Sequence, residues 1–226
     1  MTRSAVQRVL GLLLTMFSSA MLIPVLVSLI FSDNAWPAFI GSFLIILGSG
    51  LVIWWPVRHE KRELRLRDGF LVVALFWIVL SLFGAAPFLL VEYPHMTFTN
   101  AVFESVSGLT TTGATVLSDL HTLPKSILFY RQQLQWFGGL GIIVLAVAVL
   151  PILGVGGMQL YRAETPGPVK DTRLTPRITE TAKALWYVYL GITILCGASY
   201  WAAGMNFFDA ICHAFSTVAI GGFSTY

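Results

Sequence analysis

FTNAVFESVSGLTTTGAT, residues 98–115, is answered near the end of the chain by a second stretch of the same plan, FFDAICHAFSTVAIGGFS, residues 207–224. One constant offset aligns Phe98 with Phe207, Ala101 with Ala210, Ser107 with Ser216 and Gly113 with Gly222. Each copy offers about a dozen helix-compatible residues where a bilayer crossing needs about 20, so each reads as a re-entrant half-helix. The polar Thr110, Thr111, Thr112, Gly113 segment behind the first copy is tolerable at membrane depth only if protein surrounds it or it lines a watery cavity. A threonine and glycine cluster after a helix is also what a C-cap and turn look like. The matching second copy favours a pore loop. Successive carbonyls of such a loop can replace the hydration shell of a cation such as potassium, and glycine lets the backbone turn them toward one axis. The half-helix adds the negative end of its dipole beside the ion, so no carboxylate is required.

Composition supports a membrane setting independently. Of 226 residues 56% are hydrophobic and only 11% charged, far from the balance of an ordinary soluble domain. The net charge of +3 does not point to nucleic acid, because the basic residues lie in loops beside apolar spans and report topology instead. Cys196 and Cys212 fall in apolar surroundings without metal-ligand spacing, which predicts buried free thiols.

In chain order, residues 6–31 form a first span interrupted by Pro24, and residues 37–57 a second, joined through Asp33. The length of the first and its lack of a small-residue cleavage site argue against a removed signal peptide. Residues 58–68, RHEKRELRLRD, are a charged loop. A third span, residues 69–90, leads through Tyr93 and Pro94 into the first half-helix. The long segment 125–153 carries Gly138, Gly139 and Gly141 at its middle, which permit close helix contact or a bend. Arg131 either snorkels outward or faces Glu104, and its place within about two turns of the helix start favours snorkelling. Glu104 is a functional suspect as an ionisable residue in a membrane, though a structural hydrogen bond suits it equally well. Residues 154–183 are polar, with Pro166, Gly167, Pro168 and Pro176, and read as a loop with room for a short helix. A fifth span, residues 184–203, precedes the second half-helix. Of the 14 lysines and arginines, only Lys125 and Arg131 lie off the side of the basic loops. The amino terminus is therefore expected in the cytoplasm, with both pore loops entering from outside. Asp33, Glu92 and Asp119 then fall outside, where they concentrate cations modestly or only solvate loops.

The expected organisation is a two-helix transmembrane prefix (residues 1–57), a first pore unit (69–157) with filter loop 110–115, a cytoplasmic linker (158–183), and a second pore unit (184–226) that stops after filter loop 219–224. The fold class is all-α integral membrane. Because a potassium-type filter takes four loops, two loops imply further units in a longer chain or assembly of several chains.

The runs SGLTTTGATVL (107–117), WFGGLGI (136–142), QLYRAETPGP (159–168) and AIGGFST (219–225) resemble the Trk/Ktr/HKT superfamily of potassium transporters. Within it they are most similar to the bacterial TrkH-type potassium uptake membrane subunit. The resemblance covers essentially the whole chain. It implies four helix, pore-helix, helix units around one pore, with the filter glycines at Gly113 and Gly222 and potassium held by backbone carbonyls of Thr111, Thr112, Ile220 and Gly221. It also implies a multi-pass protein of the bacterial inner membrane that transports potassium as substrate without an organic cofactor. Its partners would be membrane lipid, a second copy in a homodimer, and a cytoplasmic ring of nucleotide-binding regulatory subunits. Nothing points to nucleic acid. The family's gating loop belongs to a third unit, which these residues do not contain.

Two other classes fit less well. A secondary transporter with broken helices, coupling potassium to sodium or protons, also shows paired interrupted segments. Its ionisable groups would have to come from Glu104, Asp209 and His213. An enzyme would need a nucleophile or metal cluster, and His59, His95, His121 and His213 are too scattered to form one.

Overall fold

The first span breaks where its proline requires it. The computed structural model describes residues 3–59, 66–149 and 174–226, and among them it is all-helical. Helices α1 (Arg3–Ser19) and α2 (Leu22–Phe31) are separated at Ala20 and Met21. Pro24 has no N–H to offer the Ala20 carbonyl one turn earlier. Gln133, from a distant helix, replaces that donor: its Nε2 donates to Ala20 O at 3.0 Å. A turn with Ser32 and Asn34 at positive φ then leads into α3 (Trp36–Trp54), which packs along α1. Gly11 and Gly50 make that approach close, since a Cβ at Gly11 would lie 2.7 Å from Trp54 N and one at Gly50 2.7 Å from Thr15 Oγ1.

The third span shows a second break of the same kind. Helix α4 (Leu66–Gly84) gives way to α5 (Ala86–Leu90) at Ala85, whose N–H turns to Leu82 O at 3.3 Å. The Ser81 carbonyl, left without its usual donor, accepts from Ser105 Oγ at 2.7 Å, and Gly84 O accepts from Tyr130 Oη at 2.8 Å. Tyr130 sits between Phe39 and Phe88, with ring centroids 5.6 and 5.3 Å away, so this core joins the prefix to the rest.

Next come α6 (Phe98–Leu109), α7 (Lys125–Val149), α8 (Leu174–Ala202) and α9 (Phe207–Val218). Among the described residues four segments are long and apolar enough to cross a membrane: Ser4–Phe31, Trp36–Val57, Leu71–Leu90 and Lys183–Ala202. Helix α7, at 25 residues, is also long enough, but its first half carries Arg131, Gln132, Gln133 and Gln135 with at most 1% of each exposed. It is enclosed by protein, with α2, α6, α8 and α9 packed around it. Its N-terminus is held by the prefix: Ser126 N donates to Asp33 Oδ2 at 2.8 Å, a carboxylate at the positive end of a helix. Asp33, which the sequence reading leaves in a solvated loop, is thus a cap between units.

Helix α8 begins at Leu174, inside the stretch read as linker, and runs unbroken into the fifth span. Pro176 stands in its first turn, where backbone N–H groups have no partner within the helix and proline costs nothing. Most of the 58–68 charge run and the QLYRAETPGP motif lie outside the described residues.

If Gln133 serves chiefly to replace the donor that Pro24 lacks, Gln133→Leu lowers the stability of the full-length protein by about 1–3 kcal/mol, the cost of an unsatisfied buried carbonyl. In a Pro24→Ala background, with the backbone donor restored, the penalty shrinks. Thermal unfolding of the four proteins of this cycle measures both effects, and an equal penalty in both backgrounds would contradict the account.

Candidate functional site

The two sequence copies fold as one motif built twice. Thr97 Oγ1 accepts from Asn100 N at 3.3 Å to start α6, and Asn206 Oδ1 accepts from Asp209 N at 2.9 Å to start α9. Both are side-chain N-caps. The C-terminal ends match equally. Thr111 N bonds Gly108 O and Thr112 N bonds Ser107 O at 3.0 and 2.9 Å, while Ile220 N bonds Thr217 O and Gly221 N bonds Ser216 O at 3.0 and 2.8 Å. This paired pattern is the Schellman motif, in which the left-handed position is usually glycine. Here Thr111 (φ 56°) and Ile220 (φ 57°), both β-branched, occupy it, a rare and strained choice. The C-cap that the sequence admits as an alternative is therefore present in both copies, and it is what launches each loop.

Gly113 (φ 78°) and Gly222 (φ 87°) follow two residues later, also left-handed, whereas Thr112 and Gly221 between them are not. Handedness thus alternates over 111–113 and again over 220–222. Backbone of alternating hand turns successive carbonyls to one side, unlike a strand, where they alternate. The loops also meet: a Cβ on Gly113 would collide with the Gly221 carbonyl oxygen and lie 3.4 Å from Gly222 Cα. Of the six candidate residues, Gly113, Gly221 and Gly222 are thereby in direct apposition. Thr111 and Thr112 continue the first loop, where Thr110 Oγ1 and Thr112 Oγ1 share a hydrogen bond of 2.8 Å. Ile220 projects its side chain outward, 88% exposed, at the rim of an open cavity of about 430 Å³ that also touches His213, Ser216 and residues 221–224.

Behind the loops stands α7. Gly138 lies against the end of α6, where a Cβ would overlap the Leu109 carbonyl oxygen and reach within 3.1 Å of Thr111 Cγ2. Gly139 faces the other loop, with Ala219 Cα and Cβ both 3.1 Å from where its Cβ would be. Of the three glycines expected to allow close contact or a bend, Gly138 and Gly139 make close contact with the two loop starts, whereas Gly141 meets Phe76 and Trp77 of α4 at ordinary packing distance. One turn earlier, Gln135 Oε1 accepts from Phe223 N at 3.2 Å. Another turn earlier is Arg131, fully buried. It does not snorkel. Its Nε donates to Glu104 Oε1 at 2.7 Å, Nη2 to Thr115 Oγ1 at 3.0 Å and Nη1 to Ser224 O at 3.2 Å. Distance from the helix start measured its depth correctly but could not reveal that a buried carboxylate lies within reach. The bonds of Glu104 are completed by Thr115 Oγ1 and by Val116 N at 3.1 Å. Among the described residues no group of three or more His, Cys, Asp or Glu could hold a metal ion, and Cys196 and Cys212 are unpaired with each other.

A family model described as TrkH, cation transport protein, matches residues 36–226. The chain belongs to the TrkH family. It is 62% identical over 219 residues to the "Trk system potassium uptake protein TrkH" of Vibrio parahaemolyticus, covering 97% of this chain and 45% of that one. The protein of the same name from Escherichia coli K12 is 60% identical over 222 residues, covering 98% and 46%. The crystal structure of the potassium transporter TrkH from Vibrio parahaemolyticus superposes with a TM-score of 0.88 at 54% identity, over 100% of this chain and 45% of that chain. The chain thus spans about half the length of the TrkH relatives it matches. The all-α membrane fold and the family expected from the loop motifs both hold.

Within this TrkH-family chain the left-handed glycines of the two loops differ in surroundings: no heavy atom lies within 4 Å of a Cβ added to Gly222. Gly222→Ala therefore carries only the left-handed penalty of about 1–2 kcal/mol. Gly113→Ala carries the same penalty together with the overlap on Gly221. Thermal unfolding of the purified full-length protein should rank Gly113→Ala as the more damaging, and the reverse order would contradict the apposition of the loops.

Proposed function

We propose that this chain lines part of a potassium-selective pore and that its full-length protein takes up potassium. The observation that carries the reading is the alternating handedness at 111–113 and 220–222, repeated at equivalent positions in two loops that touch. In this reading, carbonyls of Thr111, Thr112, Ile220 and Gly221 replace the water around a dehydrated potassium ion, and Gly113 and Gly222 supply the backbone freedom. Helices α6 and α9 direct the negative ends of their dipoles at the same place. Potassium is the substrate, and the chemistry calls for no organic cofactor. The relatives' names, Trk system potassium uptake protein, support potassium as the cargo.

The prefix and the two pore units then sit in a bacterial inner membrane, with the linker at 158–183 and the amino terminus in the cytoplasm, as the placement of lysine and arginine favours. Bilayer lipid covers the outward apolar side chains such as Met16, Val52 and Leu195, each more than 60% exposed. A homodimer and a nucleotide-binding regulatory ring on the cytoplasmic side complete the assembly. Arg173 and Arg177 are offered as the ring contact, and neutralising both should weaken the response to nucleotide while leaving ion preference intact.

Coupling to sodium or protons would need an ionisable group free to change its charge at the loops. Glu104 is bound to Arg131, and Asp209 Oδ2 accepts from Asn206 and from Tyr226 Oη at 2.9 Å. His213 Nε2 lies 3.2 Å from Thr225 Oγ1; with both carboxylates and this imidazole engaged in holding structure, a filter is favoured over a coupled carrier.

The test is the ratio of potassium to sodium permeability, from reversal potentials of the full-length protein in planar bilayers. Gly113→Ser adds a side chain at φ 78° against the Gly221 carbonyl and should lower the ratio. Gly222→Ser should lower it less. An unchanged ratio with Gly113→Ser would reject the filter assignment.

A further inference from the structure

Helix α7 belongs to the first unit, yet two of its side chains grip the second unit's loop immediately after Gly222. Gln135 takes the N–H of Phe223 and Arg131 takes the carbonyl of Ser224. The same guanidinium holds Glu104 and Thr115, and Glu104 in turn holds Val116 N. First and second loops are therefore tied, just past their glycines, to one planar group with donors in fixed directions. Phe223 closes the arrangement with its ring centroid 4.2 Å from the guanidinium carbon. Arg131 and Glu104 are both fully buried, and their opposite charges cancel, so the pair adds little net field at the ion path. Its contribution is geometric.

We propose that Arg131 is a positioning residue for ion selection, fixing the separation of the two loops by bonding Glu104 and Thr115 of the first and the Ser224 carbonyl of the second. The inference rests on the filter reading above. A filter that prefers potassium depends on all its carbonyls being presented together, and here one side chain bonds both contributing backbones. A lysine in its place keeps the charge opposite Glu104 but is a single ammonium on a flexible stem, without the planar fork that spans the two loops.

The experiment compares full-length wild type, Arg131→Lys, Arg131→Gln and Gln135→Met in proteoliposomes, reading the potassium to sodium permeability ratio, the flux per molecule and the thermal stability of each. Arg131→Lys should reach the membrane and lower the ratio about tenfold, a loss of about 1.4 kcal/mol of preference for potassium over sodium. Gln135→Met, which frees Phe223 N, should lower it by a smaller factor. A purely structural role would reduce abundance, stability and flux with the ratio unchanged, and that result in Arg131→Lys and Gln135→Met overturns the proposal even if Arg131→Gln fails to fold. A wild type without preference for potassium would instead overturn the filter assignment beneath it.

Discussion

A buried ion pair, Arg131 with Glu104 at 2.7 Å, is the constraint to which the rest of the structure answers. Taking both charges out of water is costly, and the pair is tolerable only because its remaining donors and acceptors are filled. Three N–H directions of the arginine are used, and the carboxylate receives Thr115 and Val116 as well. Losing one partner would leave a naked charge at a cost of about 3–5 kcal/mol. That requirement makes α7 an internal helix, and others of its polar side chains serve neighbouring elements, although Gln132 Nε2 and Oε1 have no partner among the described residues. Tyr130 and Gln133 serve carbonyls exposed at the breaks of two other spans. Trp136 Nε1 donates to Thr193 Oγ1 at 3.1 Å, and Tyr189 Oη donates back to Trp136 O at 3.0 Å, which docks α8.

The loops themselves are strained. Thr111 and Ile220 hold left-handed φ where glycine would do so freely, at about 1–2 kcal/mol each. Two Schellman bonds per loop and close support from Gly138 and Gly139 offset that strain. Strain kept at equivalent positions of two copies is easier to understand as a functional geometry than as an accident of packing. A β-branched residue in that position also limits the alternatives the loop can adopt, which suits a site that must present a fixed set of carbonyls.

Much of this was legible in the sequence because it depends on local chemistry. Apolar length predicted the spans, Pro24 a break in the first, and the repeated half-helix with its glycine predicted two equivalent loops. What was not legible depends on partners far apart in the chain. Arg131 was expected to reach for the surface, because its depth was visible and Glu104's position was not. Gln133 carries no motif, and its role exists only because Pro24 leaves a carbonyl bare at the break of a helix packed against it. By sequence Asp33 is an ordinary acidic loop residue; its capping of α7 depends on Ser126, which only the fold brings beside it. Pro176 read as a loop signal, although the first turn of a helix accepts it. By sequence Gly138 and Gly139 permit close contact or a bend, and their packing against the two loop starts is a tertiary fact.

The most direct measurement is the location of the bound cation. Crystals of the full-length protein grown with thallium in place of potassium would show where a potassium-sized ion rests through its anomalous scattering. The account predicts peaks on the axis between the two loops, at coordinating distance from carbonyls of Thr111, Thr112, Ile220 and Gly221. Peaks confined to other parts of the protein, with none beside these carbonyls, would contradict it.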